Sequence, residues 1–164
     1  VSQKRRIEFL TVRVMLEQIL NSRVQIKYEE SGKPYLAESD FQISISHTKG
    51  FAAVILHPLR QVAVDIEQRT EKVMRLQSKF MNENELSALD SADAVSYSLI
   101  CWSAKETMFK WTPYTEMDFR KHLCLSSFKV AESGYINACI CRNDNADPIV
   151  VSYLNRQEYV LTWI

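Results

Sequence analysis

The chain has 164 residues, 46% of them hydrophobic, with 20 basic residues balanced by 20 acidic ones. This is enough apolar material for one domain with a real core, or for two small similar halves. Balanced charge offers no global field for nucleic acid or an anionic membrane, and no run approaches the roughly 20 apolar residues of a transmembrane helix.

Residues 4–21 place Ile7, Leu10, Val14 and Ile19 at helical spacing, broadened by Phe9, Val12, Leu16 and Leu20. This is the pattern of an amphipathic helix, with the stripe turned to the core. "SGKPYL" (31–36) is turn chemistry leading into an extended segment. "FQISISHTKGFAAVILH" (41–57) reads as two strands around a turn at Lys49–Gly50. A further strand, 61–67, follows at hairpin distance. Residues 71–89 and 94–111 read as helical, and from 123 onward "LCLSSFKV", "YINACIC", "PIVVSYL" and "YVLTWI" return to strands. Helix, strands, helices, strands is an α+β order. The four cysteines, Cys101, Cys124, Cys139 and Cys141, match no zinc spacing and mostly sit in apolar runs. They read as reduced core residues of a cytoplasmic protein, with a disulfide as the alternative. No signal peptide is visible, and the chain opens on Val1 rather than Met, as a fragment or trimmed chain does.

The strand "QVAVDIEQ" (61–68) carries two carboxylates in a Val/Ile-rich run. Alternation puts Val64 and Ile66 on one face and Asp65 and Glu67 on the other. At about 6 Å, two such charges repel by roughly 3 kcal/mol at an effective dielectric near 20. Solvent, a basic partner or a bound cation must offset that, and for D-x-E alone a solvated edge strand is the simpler account. A third carboxylate lies in "VSYSLICWSAKETMFKW" (95–111). On a helix, Val95, Leu99, Trp102 and Phe109 form one stripe with Glu106 in its middle. Tyr97, Ala104, Met108 and Trp111 make the opposite side apolar as well, so the helix is expected to be buried. A buried carboxylate needs a partner. Lys110, four residues on, is one candidate. Joined to Asp65 and Glu67, Glu106 completes an all-oxygen donor set that suits Mg²⁺.

"VAVDIE" followed by "WSAKETMFK" resembles the paired signatures of the 4′-phosphopantetheinyl transferases, roughly G-[IV]-D-[IV]-E and W-[ST]-x-K-E-x-x-x-K. "GKPYL", "ISISHT" and "KFMNENEL" (79–86) are similar to three further segments of that family, in the same order. Each motif is weak alone, and five in order are specific. The resemblance implies the single-chain, pseudo-dimeric (surfactin-synthetase) class: two similar α+β halves, here residues 1–60 with coenzyme A contacts and 61–164 with metal and catalytic residues. The active site would lie in the cleft between them. It implies transfer of 4′-phosphopantetheine from coenzyme A to a serine of an apo acyl or peptidyl carrier protein, Mg²⁺-dependent, with release of 3′,5′-ADP.

Carried over residue by residue, the resemblance makes Asp65, Glu67 and Glu106 the metal ligands. Glu106 is also the base for the serine proton, and Lys110 stabilises the leaving phosphate. Arg13, Lys33, Ser46 and His47 match the family's contacts to coenzyme A. Lys105 is as well read as a solvated lysine. Lys72, Arg75 and Lys79 would form a basic docking face for an acidic carrier helix, with Met74 and Met81 adding contact area. The implied protein is a cytoplasmic monomer with no nucleic-acid or membrane partner. Two departures stand out. "WTPYTEMDF" (111–119) lacks the glycines common there, and Ala63 replaces a common glycine. The family usually has more chain before the Arg13 helix, for which Lys4, Arg5 and Arg6 are partial substitutes. Two alternatives stay open: a coenzyme A-binding relative without efficient transfer, and a metal-dependent phosphohydrolase.

Overall fold

Turn chemistry sets the local chain reversals. Gly50, at φ +87°, occupies the left-handed region open to glycine and folds β3 (Gln42–Thr48) back onto β4 (Phe51–His57). Asn143 and Asp144, both at positive φ, make the two-residue turn between the long strands β7 (Ser133–Arg142) and β8 (Asn145–Asn155). The computed structural model describes residues 3–90 and 92–164. The side chains of Lys4 and Arg5, named above, lie outside the described residues.

Before β3 come helix α1 (Gln3–Leu20) and the hairpin β1 (Ile26–Tyr28)/β2 (Pro34–Leu36). After β4 come β5 (Val64–Gln68), a 3-10 segment (Glu71–Leu76), and helices α2 (Gln77–Phe80), α3 (Glu83–Ser87) and α4 (Ala94–Trp111). Strands β6 (Leu123–Leu125), β7, β8 and β9 (Tyr159–Trp163) follow. The mixed α+β class is as expected. The sheets are the two hairpins and a five-stranded antiparallel sheet in the order β5-β9-β8-β7-β6. Helix α4 lies against that sheet, buried nearly all round as its sequence requires, and its core joins Leu99, Ile100 and Met108 to Leu123, Ile136, Val151 and Val160.

Three expectations are corrected. Strand β5 does not continue the β3–β4 hairpin: its backbone partner is β9. Residues 71–89 are not one helix but a 3-10 segment and two short helices, separated by Met81–Asn82. Helix α1 exists, but the stripe Ile7, Leu10, Val14 and Ile19 faces outward, each more than half exposed, while Val12 and Leu16 enter the core with Ile26, Leu36 and Ile43. The hairpins it covers are narrow, so they bury a correspondingly narrow strip of the helix.

Strand β3 meets β5 in an unusual way. The odd-numbered amides of this stretch serve the β9 side, as Ala63 and Arg69 show at its ends. The even-numbered amides of Val64, Ile66 and Gln68 donate to the hydroxyls of Ser44, Ser46 and Thr48 at 3.1, 3.2 and 3.4 Å. The alternating Ser/Thr face of "ISISHT" thus closes the open edge of the large sheet with side chains rather than backbone.

Candidate functional site

Asp65, on β5, points toward α4 and is buried, only 4% exposed. A buried carboxylate requires donors, and it has three. Ser46 donates to Oδ1 at 2.9 Å, Lys110 Nζ to the same oxygen at 2.8 Å, and Ser103 to Oδ2 at 2.8 Å. Lys110 also donates to Ser46 Oγ and the Val64 carbonyl, at 3.0 and 3.1 Å. The expected Lys110–Glu106 pair is therefore replaced by Lys110–Asp65: the lysine reaches across from α4 to β5 instead of along its own helix. Ser46, a predicted coenzyme A contact, is buried; it gives its hydrogen to Asp65 and accepts from Ile66 N–H and Lys110.

Glu67, two residues along the same face, is half-buried and accepts from the Trp102 indole N–H at 2.7 Å. Burial, then the Asp65 charge, push its carboxyl above the ordinary value against the Trp102 bond and Lys110. Glu106, half-buried in the middle of the α4 stripe, is pushed up to about 7. Burial is the largest cause, followed by Asp65; Lys110 opposes and Glu67 adds. The three carboxylates thus sense one another, although their oxygens are not gathered within 4.8 Å. Three negative groups share one ammonium, a formal surplus of two charges. That surplus and the all-oxygen donor set fit a hard divalent cation such as Mg²⁺.

Of the predicted coenzyme A contacts, Arg13, Lys33 and His47, but not Ser46, line two adjoining hollows around the β1–β2 turn. One, of about 350 Å³, is bordered by Lys33, Lys110 and the Thr112–Thr115 segment. The other, of about 370 Å³, is bordered by Arg13 and His47. Gly32, Pro34 and Ile45 border both, so the hollows form one groove over the hairpin. Arg13 is held by Phe9: its guanidinium sits 3.1 Å from the ring centroid and donates to the Phe9 carbonyl. His47 Nδ1 lies 3.4 Å from a Glu8 oxygen. The glycine-free 111–119 segment is fixed at both ends. The Gln61 side-chain amide donates to the Trp111 carbonyl, and Met117 and Phe119 join the α4 core. Asp65, Glu67 and Glu106 do not border the groove; Lys110 links it to them.

Lys105 is not solvated. It is 0% exposed and donates to Glu85 at 2.7 Å and to the carbonyls of Phe80 and Phe119. Glu85 also caps α3 through the Asn82 amide and accepts from Leu125 N–H. The basic residues Lys72, Arg75 and Lys79 are exposed as expected, but they are split between the 3-10 segment and α2. Met81 is fully buried rather than available for contact. Sequence reasoning missed Ser103 and Thr107, which share Thr162 of β9 by hydrogen bonds of 2.9 and 2.6 Å and so brace Asp65 from behind. The signal was present: two hydroxyls four residues apart on a helix expected to be buried mark a face that meets polar groups.

Residues 61–164 match the profile of the 4′-phosphopantetheinyl transferase superfamily. The chain is also 31% identical over 109 residues to the 4′-phosphopantetheinyl transferase gsp of Aneurinibacillus migulanus, a match covering 62% of this chain and 44% of that protein. The chain therefore spans less than half the length of the curated relative it matches. The superfamily match contains β5, α4 and the whole five-stranded sheet, and with them Asp65, Glu67, Glu106 and Lys110. A shared profile running unbroken through the strand and helix that assemble this charge cluster shows that the chain belongs to the 4′-phosphopantetheinyl transferase superfamily.

Proposed function

We propose that the protein transfers the 4′-phosphopantetheine group of coenzyme A to a serine of an apo acyl or peptidyl carrier protein, with Mg²⁺, releasing 3′,5′-ADP. The observation that carries this reading is the charge cluster itself: three carboxylates acting on Lys110, which also borders the groove that Arg13, Lys33 and His47 line. A polyphosphate calls for several convergent donors along the groove, and a divalent cation calls for the carboxylates.

Asp65, Glu67 and Glu106 would hold Mg²⁺, which when bound polarises the diphosphate and orients it. Arg13, Lys33 and His47 bind the nucleotide end. Ser46, with its hydroxyl engaged by Asp65, Ile66 and Lys110, positions rather than binds. Glu106, with an acid strength near neutrality, takes the proton of the carrier serine. The serine oxygen bonds to the pantetheine-bearing phosphorus and the bond to the 3′,5′-ADP oxygen breaks. Lys110 stabilises the charge left there.

Residues 1–60 and 61–164 are taken as the two halves of a pseudo-dimer, with the Lys33–Lys110 part of the groove bordered by both. Lys72, Arg75 and Lys79 are the docking surface for the carrier. The protein works as a cytoplasmic monomer; among the described residues, no helix is long and apolar enough to cross a membrane. Incubation with a panel of apo carriers, coenzyme A and Mg²⁺ tests the reading: the carrier gains the mass of one phosphopantetheine, and chelation abolishes the gain. Phosphate release with an unmodified carrier would instead identify a phosphohydrolase. Coenzyme A binding without transfer to any carrier would identify a non-transferring relative.

A further inference from the structure

The cysteines, read from their spacing as unconnected core residues, are brought together by the sheet. Cys139 and Cys141 alternate with Ala138 and Ile140 along β7, so they share the face opposite the α4 core. Strand β6 pairs with β7 so that Cys124 lies directly opposite Cys139, with Cys141 on the diagonal. The three sulfurs lie within 4.8 Å of one another, and Cys139 and Cys141 are 3.2 Å apart. Among the described residues, this is the group of three potential metal-ligating side chains that closes to that distance. All three are half-buried, whereas Cys101 is fully buried within α4.

A zinc ion with sulfurs at about 2.3 Å sets ligand sulfurs about 3.8–4.0 Å apart, in tetrahedral or trigonal arrangement. That spacing falls between the closest pair and the outer limit seen here. The donors are three soft sulfurs with no oxygen among them, which disfavours Mg²⁺ and selects thiophilic d10 ions. A disulfide, by contrast, would use two of the three thiols and leave the third without a role.

We propose that Cys124, Cys139 and Cys141 form a binding site for one thiophilic d10 cation of the Zn²⁺/Cu⁺ class, distinct from the carboxylate cluster, with solvent supplying any further ligand. The site ties edge strand β6 to β7. Leu125, next in β6, donates its amide to Glu85, which holds the buried Lys105 of α4. Loading the site therefore stiffens the strand that supports the helix carrying Glu106 and Lys110. In the empty site, burial and the contact with Cys141 push the Cys139 thiol up to about 12, and burial also raises Cys124. Each thiol that becomes a ligand releases its proton to solvent, up to three for each cation bound.

The test uses the reduced, chelator-stripped full chain. Cd²⁺ is titrated in while the thiolate-to-metal charge-transfer band is followed, and Zn²⁺ and Cu⁺ are titrated separately against a chromophoric competitor. One equivalent should bind, with a charge-transfer intensity of three thiolates, proton release and a raised melting temperature. Cys124→Ser and Cys139→Ser should each weaken binding by at least about a hundredfold, the upper end for losing a group that merely supports a ligand. Cys101→Ser should bind as the wild type does. The Zn²⁺ and Cu⁺ arms identify the preferred ion. Should either serine variant fail to fold, Cys141→Ala replaces it, and the wild-type band intensity counts thiolates independently. Failure to retain one equivalent against the competitor, equal loss in Cys101→Ser, or full retention in a cluster variant would overturn the site. So would a protein in which two cluster thiols are disulfide-bonded and, once reduced, take up no cation. Transfer to a carrier enters none of these readouts.

Discussion

Ser46 donates its hydroxyl hydrogen to Asp65 Oδ1 across 2.9 Å, joining β3 to the carboxylate strand. Ser46 Oγ in turn accepts from Lys110 and from Ile66 N–H, which exhausts the capacity of the hydroxyl. Ser46→Ala strands a buried amide and removes one donor from a buried carboxylate. The expected loss is about 1–3 kcal/mol of stability, read from a denaturant midpoint. Turnover should fall with little change in coenzyme A affinity, because Lys110 loses one of its three acceptors while the groove stays intact. A coenzyme A affinity that falls alone would show direct contact instead.

Asp65 itself is central to the fold of the site. Considered as two strand carboxylates in isolation, relief of repulsion makes Asp65→Ala neutral or stabilising without metal. The observed donors reverse that sign. Removing the acceptor of Lys110, Ser46 and Ser103 leaves a partly buried ammonium unpaired. Asp65→Ala is expected to lower stability by about 3 kcal/mol, at the lower end for broken buried pairs because Lys110 keeps some solvent contact. An unchanged unfolding midpoint in metal-free buffer would contradict it.

Glu106 gives a pH signature. Its carboxyl is raised in the folded state from 4.5 to about 7, chiefly by burial. The folded state therefore prefers the protonated form: this contribution to stability is full below about pH 4.5 and is lost as pH rises through about 7. The metal-free melting temperature should decline across that window. Glu106→Gln should flatten most of the decline, leaving the smaller slope due to the raised Glu67. The same variant should lower turnover by roughly a hundredfold or more, the scale of general-base catalysis. Equal slopes in wild type and variant would remove the perturbed carboxyl from Glu106.

Lys105 and Glu85 form a fully buried pair. Lys105→Met leaves a lone buried carboxylate, and the expected cost is about 3–5 kcal/mol. Adding Glu85→Gln should recover part of it, since the amide keeps an acceptor for the Asn82 and Leu125 amides without the charge. Chemical denaturation of the three variants measures the coupling. Additive losses would mean that the two side chains act independently.

Charge reversal at Lys72 and Arg75 should raise the Michaelis constant for the carrier and leave that for coenzyme A unchanged. Both residues are exposed and absent from the borders of the groove. Steady-state kinetics with each substrate varied separately decides it, and equal effects on both would reject the docking surface.

Local chemistry explains what the sequence disclosed. Strand alternation placed Asp65 and Glu67 together, and helical periodicity marked α4 as buried with Glu106 inside it. Family resemblance placed Arg13, Lys33 and His47, which the fold brings to one groove. Long-range partners were hidden. Lys110 pairs with a residue 45 positions away, and Lys105 with one 20 positions away, so no local spacing announces either contact. The α1 stripe misled because periodicity reports that one face is apolar, not how wide a surface awaits it. The cysteine triangle depends on the register of β6 against β7, which spacing along the chain does not encode.

The hydroxyl ladder between β3 and β5 gives the protein a seam with its own stability. Ser44, Ser46 and Thr48 can let go of the Val64, Ile66 and Gln68 amides without disturbing any strand pairing on either side. The hairpin can thus part from the large sheet in a sub-global opening while both remain folded. Deuterium would enter these three amides earlier than the intervening ones of Asp65 and Glu67. A molecule spanning Lys33 and Lys110 would clamp the seam shut, so the exchange rate of three alternating amides becomes a direct gauge of ligand occupancy before any chemistry takes place.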